Sequence, residues 1–113
     1  MQTKEQHLFI YGTLAPGRVN HHIMQPISGT WKKAFLRGDL HAEGWGATMG
    51  YPAIIPSKDA DEVEGIVFSS AHLVDHWERL DEFEGDAYQR MLVDVRLESD
   101  EQLEAYVYAL KQK

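Results

Sequence analysis

The segment LDEFEGDAYQR, residues 80–90, sets a carboxylate where a helix disfavours one. The residues before it have helical spacing, and Gly85 reads as the stop. Glu84 then stands at the negative end of the macrodipole, with Asp81 and Glu82 close by. It also follows Leu80 by four residues and Trp77 by seven, so it shares their apolar stripe and faces inward or toward the edge of the core. Desolvation and the dipole both push such a carboxyl above its free value of about 4.3. A carboxyl tuned that way suits proton transfer near neutral pH. The bland alternative is a surface acid in an acidic chain, and the stripe argues against it.

A second candidate is YGTLAPG, residues 11–17. A strand ending in a glycine turn leaves successive backbone N–H groups free to converge on an anion such as a carboxylate. Gly12 lets the backbone approach a ligand closely. The segment lacks the lysine of a Walker loop, and on spacing alone it is an ordinary strand-to-loop turn. Among the six histidines, His72 and His76 lie four apart on one helix, a metal-ligand spacing. No third ligand accompanies them, so no metal site is expected. His21 and His22 read as loop residues, and no serine sits in a nucleophile-elbow context.

These residues belong to a chain of 113 residues, a length that suits one domain able to fold around its own core. It has no cysteine, which removes disulfides, thiolate nucleophiles and thiolate metal sites. Its formal charge of -7 repels nucleic acid and anionic membranes at long range. No segment approaches the roughly 20 apolar residues of a membrane span, and the start MQTKEQHLFIYG lacks the apolar run of a signal peptide. A soluble cytoplasmic protein is expected.

The elements that must position the candidates follow from periodicity. HLFIYG reads as a buried strand, and TLAPGRVNH as a loop. A short helix is expected near residues 20–25, stopped by Pro26. Residues 30–41 read as an extended strand with a bend at Gly38. The glycine-rich stretch 44–50 is flexible in character, and YPAIIP, residues 51–56, is a brief extended piece. After the turn SKDADE, residues 63–69 form a strand containing Gly65. SSAHLVDHWERLDEFEG reads as one continuous helix, capped by Ser69 or Ser70. Leu73, Trp77, Leu80 and Phe83 or Glu84 form its apolar stripe, widened by Val74. YQRMLVDVRLE and QLEAYVYAL both alternate and pair as a C-terminal hairpin. The connections are too short for helical crossovers. The expected fold is α+β: a small, mostly antiparallel barrel with one main packed helix and a short flanking helix.

Together, FIYGTLAPG, GYPAI, VEGIVF and LDEFEGDAYQR resemble the gamma-glutamylcyclotransferase-like family, also called AIG2-like. The order and spacing of these pieces match from His7 to Leu110. YGTL with a downstream LDxxEGxxYxR is the specific combination. The resemblance implies a small beta-barrel with flanking helices and a cavity between the first strand's turn and the end of the main helix. It implies that Tyr11, Gly12, Thr13 and Leu14 form the substrate-binding loop, with Glu84 as the catalytic acid/base. Tyr88 and Arg90 match the tyrosine and arginine that follow that glutamate, and Tyr51 and Pro52 match a segment near the pocket. The activity implied is cyclisation of a small gamma-glutamyl amine to 5-oxoproline, without metal, cofactor, nucleic acid or membrane. The rival class is a non-catalytic module that holds a small ligand in the same pocket.

Overall fold

The computed structural model describes residues 5–11, 24–41, 53–85 and 88–110; within these, the side chains of His41, Ala53, Glu84 and Leu110 lie outside the description. Six strands appear in chain order: β1 (Gln6–Ile10), β2 (Thr30–His41), β3 (Ala53–Pro56), β4 (Glu62–Ser70), β5 (Tyr88–Leu97) and β6 (Gln102–Leu110). A 3-10 turn (Leu73–Asp75) and the helix α1 (Trp77–Glu84) lie between β4 and β5. Among the described residues, no helix is long and apolar enough to cross a membrane.

The sheet closes on itself. β1 pairs antiparallel with β4, β4 with β2, β2 with β5 and β5 with β6, and β6 returns parallel to β1. The ring therefore has five walls. β3 and β4 act as one interrupted wall, because β2 pairs with β3 through His41↔Ala53 to Gly38↔Pro56 and then with β4 from Arg37↔Glu62 onward. Two bonds pin the loop between them, Ser57 N–H to Arg37 O at 3.0 Å and Gly38 N–H to Asp61 O at 3.1 Å. The β2–β5 seam is short, consisting of Ala34↔Leu97 and Phe35↔Arg96.

Alternation along the strands sorts side chains between two cores. Phe9, Ala34, Leu36, Ile54, Val67, Val95, Leu97, Ala105, Val107 and Ala109 fill the barrel. Leu8, Ile10, Phe68 and Tyr108 point outward and meet Leu73, Trp77 and Leu80 beneath the helix. Gly65 shows why one strand position must lack a side chain. A Cβ there would fall 2.5 Å from the Phe9 ring and 2.6 Å from Ile10 O. The expected hairpin is present as β5–β6, with nine residue pairs from Tyr88↔Leu110 to Arg96↔Gln102.

The expected continuous helix is corrected. Ser69 and Ser70 remain in β4, and the chain then makes a 3-10 turn before α1 begins at Trp77. The serines are held by strand and loop partners. Ser69 Oγ lies 2.6 Å from His7 Nδ1, and Ser70 Oγ donates to Ser28 O. Ser70 Oγ also accepts from His72 N–H at 3.0 Å, but neither serine caps the helix: the cap positions are His72 for the 3-10 turn and His76 for α1, and neither makes a side-chain cap bond. The tighter turn has three residues per turn rather than 3.6, which rotates Val74 out of the stripe to 48 % exposure. Leu73, Trp77 and Leu80 stay buried. Of the short helix expected near residues 20–25, positions 20–23 lie outside the described residues. Residues 24–26 form a turn closed by Ile27 N–H to Met24 O.

Candidate functional site

Helix α1 ends at Glu84 because Gly85 takes φ 84°, a conformation that L side chains resist. Gly85 N–H bonds to Asp81 O at 3.1 Å, and Tyr88 N–H, at the start of β5, bonds to Gly85 O at 3.3 Å. Glu84 is thus the last helical residue, at the negative end of the helix. Glu82 is exposed. Tyr88 is half-buried and packs against the outer core.

Arg90 is tied back to the same helix. Its Nε donates to Asp81 Oδ1 at 3.0 Å and its Nη2 to Oδ2 at 3.3 Å, a two-pronged clamp. The guanidinium also lies 4.4 Å from the centre of the Trp77 ring and 5.2 Å from that of Tyr106. Trp77 is fixed in turn by its Nε1–H, which donates to Gln6 Oε1 at 2.7 Å. Asp81 accepts a third bond, from the Tyr108 hydroxyl at 2.6 Å. Arg90 therefore directs two of its donors to a protein carboxylate, a use that the sequence did not reveal.

Tyr11 stands where β1 leaves the barrel. Its hydroxyl donates to Tyr108 O at 2.8 Å and accepts from Ile54 N–H at 3.0 Å. That hydroxyl joins β6 to β3, so the roots of the two expected binding segments, 11–14 and 51–52, meet at one atom. Gly12, Thr13, Leu14, Tyr51 and Pro52 themselves lie outside the described residues, as does the Glu84 side chain. The structure thus brings Tyr11, Arg90 and the helix end into one bonded group through Asp81 and Tyr108. Neither of those two residues stood out as a site residue in the sequence. Asp81 had one visible signal, its place one helical turn before Glu84.

Two other features lie apart from this group. His72 is exposed beside the 3-10 turn, and His76 Nδ1 lies 3.1 Å from Arg79 Nη2. Among the described residues, no group of three or more His, Cys, Asp or Glu side chains is arranged to hold a metal. A cleft of about 920 Å³ opens beside the β2–β5 seam, lined in part by Leu36, Arg37, Lys58, Val93 and Arg96. Among the described residues, none of the expected site residues lines it.

The closed barrel with a helix laid over one outer face is a fold shared with solved structures. An AIG2-like protein from Mus musculus is 23 % identical, with a TM-score of 0.71, over 96 % of this chain and 79 % of its own. A protein from Arabidopsis thaliana is 26 % identical, with a TM-score of 0.71, over 100 % of this chain and 72 % of its own. A structure titled gamma-glutamyl cyclotransferase is 21 % identical, with a TM-score of 0.67, over 96 % of this chain and 68 % of its own. Other relatives are longer: the chain spans 36 % of YkqA from Bacillus subtilis and 62 % of another Arabidopsis protein. No curated protein matches the chain significantly. The family model described as gamma-glutamyl cyclotransferase, AIG2-like, matches residues 8–113, and the chain belongs to that family.

Proposed function

We propose that the chain is a cyclotransferase that converts a small gamma-glutamyl amine to 5-oxoproline and releases the free amine. The observation that carries this reading is the family match over residues 8–113, which includes the glycine-stopped helix ending at Glu84. The substrate carries a free alpha-amine and a gamma-amide. As an ammonium the amine has no lone pair for attack, so a base first takes its proton. The nitrogen then bonds to the gamma-carbonyl carbon, and the ring closes. The amide C–N bond breaks, and the departing nitrogen takes up a proton. Glu84 is the group proposed to accept the first proton and deliver the second.

The loop beginning at Tyr11 supplies N–H groups for the alpha-carboxylate or for the carbonyl oxygen. Folding the substrate chain so that its amine meets its own carbonyl provides much of the rate, since ring closure depends on geometry. The attacking nitrogen loses two protons, one before attack and one as the ring closes, and the departing nitrogen gains two on leaving as an ammonium, so the balance closes with substrate and one acid/base that shuttles each proton in turn. The test is a panel of gamma-glutamyl amines, with amino-acid, alkylamine and arylamine leaving groups, assayed for 5-oxoproline and released amine in equal amounts. Release from at least one member supports the proposal. Saturable binding of panel members without release would overturn it in favour of a ligand-holding module.

A further inference from the structure

Tyr108 touches both halves of the proposed site. Its main-chain carbonyl accepts the Tyr11 hydroxyl at 2.8 Å, one residue before the expected binding segment continues at Gly12. Its own hydroxyl donates to Asp81 Oδ1 at 2.6 Å, one turn before the helix ends at Glu84. Through Tyr11 it is also linked to Ile54 N–H, beside the segment at 51–52. The residue is 5 % exposed and pairs across the hairpin with Arg90, which clamps the same Asp81.

We infer that Tyr108 is a positioning residue that sets the separation between Tyr11 and the last turn of α1, by bonding the Tyr11 hydroxyl to its carbonyl and Asp81 to its own hydroxyl. The inference rests on the cyclotransferase reading. Packing alone does not account for the residue, because phenylalanine would fill the same space without a hydroxyl to satisfy. A buried hydroxyl costs free energy unless it is bonded, and a bond to an ionised carboxylate is of the stronger kind. The β6 backbone is paired on both edges, to β5 and to β1, so it is a firm reference for both attachments. A substrate that must close on itself between the two parts is sensitive to their spacing. A misplacement of about 1 Å can cost on the order of 100-fold in rate.

The test compares Tyr108→Phe, Tyr11→Phe and the double variant with the wild-type protein. The substrate is whichever gamma-glutamyl amine of the panel the wild-type protein cyclises fastest. Assays run well below each variant's unfolding midpoint, with near-UV circular dichroism confirming the fold. We expect each single variant to lose about tenfold or more in kcat, with KM within about threefold of wild type. The double variant should lose clearly less than the product of the singles, because both changes loosen one separation. A lowered midpoint with wild-type kcat in Tyr108→Phe would mean that the hydroxyl serves packing only, and would overturn the inference. Multiplying losses in the double variant would overturn it too. If Tyr108→Phe does not fold, unchanged kcat in Tyr11→Phe overturns it. No 5-oxoproline from the wild-type protein on any substrate would sink the functional reading, and this inference with it. Activity in the wild type with unaffected variants sinks the inference alone.

Discussion

Arg90 and Arg96 stand six residues apart on the same outward face of β5, and each is held in the same manner. Arg90 grips both oxygens of Asp81 and lies over Trp77. Arg96 grips both oxygens of Glu62, at 2.8 and 2.9 Å, and lies 4.6 Å from the centre of the Phe35 ring. What differs is the element each one ties to β5. Arg96 reaches β4 and also Asp100 in the hairpin turn, beside the two-pair seam where β2 meets β5. Arg90 reaches the helix that ends at Glu84, through a carboxylate shared with Tyr108. One clamp closes the barrel, and the other sets the end of a helix against it. The same chemistry thus serves architecture at one end of β5 and the proposed site at the other, and only the partner tells them apart.

The comparison breaks first at Asp81. Asp81→Ala removes two bonds from Arg90 and one from Tyr108 in a single change. Because Asp81 is 44 % exposed, the expected stability loss is at the low end for bonds to a charged group, about 1–2 kcal/mol. The expected loss in kcat is about tenfold or more. Denaturant unfolding and 5-oxoproline release measure the two effects. A loss of stability with full turnover would make the Arg90 clamp architectural, like its counterpart.

Lysine in place of each arginine should give a smaller and more selective effect. An ammonium cannot reproduce the planar two-pronged geometry. Arg90→Lys should lower turnover several-fold. Arg96→Lys should leave turnover at the wild-type level and lower the thermal midpoint slightly, as exposed ion pairs do. Equal effects on turnover would erase the distinction between the two clamps.

The smallest effect concerns pH. The Glu62 carboxyl is held below its ordinary 4.5, chiefly by its hydrogen bond to Arg96 and also by the Arg96 and Arg37 charges, against some desolvation. A carboxylate depressed in the folded state contributes stability that is fully present above its unfolded pKa. That contribution is lost as pH falls through the lower folded value. The wild-type protein should therefore melt slightly above Glu62→Gln at pH 6, with the gap closing below about pH 4.5. A gap that does not narrow as the pH falls below about 4.5 would assign the difference to packing rather than charge.

Much of the fold was legible because local rules and the tertiary fold agree. The alternation in β5 and β6 is sharp where one face fills the barrel, and Gly85 marks a helix end because few other residues accept its φ. The break between β4 and α1 was not legible. It depends on Ser69 and Ser70 finding partners at His7 and Ser28, more than 40 residues away in sequence. The site divides likewise. As candidates, Glu84 stands out by its place at the helix end, and Tyr11 and Arg90 only through the family motif. Asp81 and Tyr108 do not, because their significance lies in contacts 27 residues apart with each other and 97 apart between Tyr108 and Tyr11. Tyr11 reads as part of the first strand's end, but nothing in the sequence shows that its hydroxyl bonds β6 to β3.

Proton shuttling by the carboxyl at the end of α1 can be separated from a merely structural role by two isosteric changes. Glu84→Gln and Glu82→Gln are compared with the wild-type protein for 5-oxoproline release, after circular dichroism shows all three folded. Glutamine nearly matches glutamate in shape, so Glu84→Gln should still bind substrate while kcat falls by about two to four powers of ten. Glu82 is exposed, and its variant should stay close to wild type. Near-normal turnover in Glu84→Gln, with the large loss in Glu82→Gln, would contradict the account and place the acid/base at the other carboxylate.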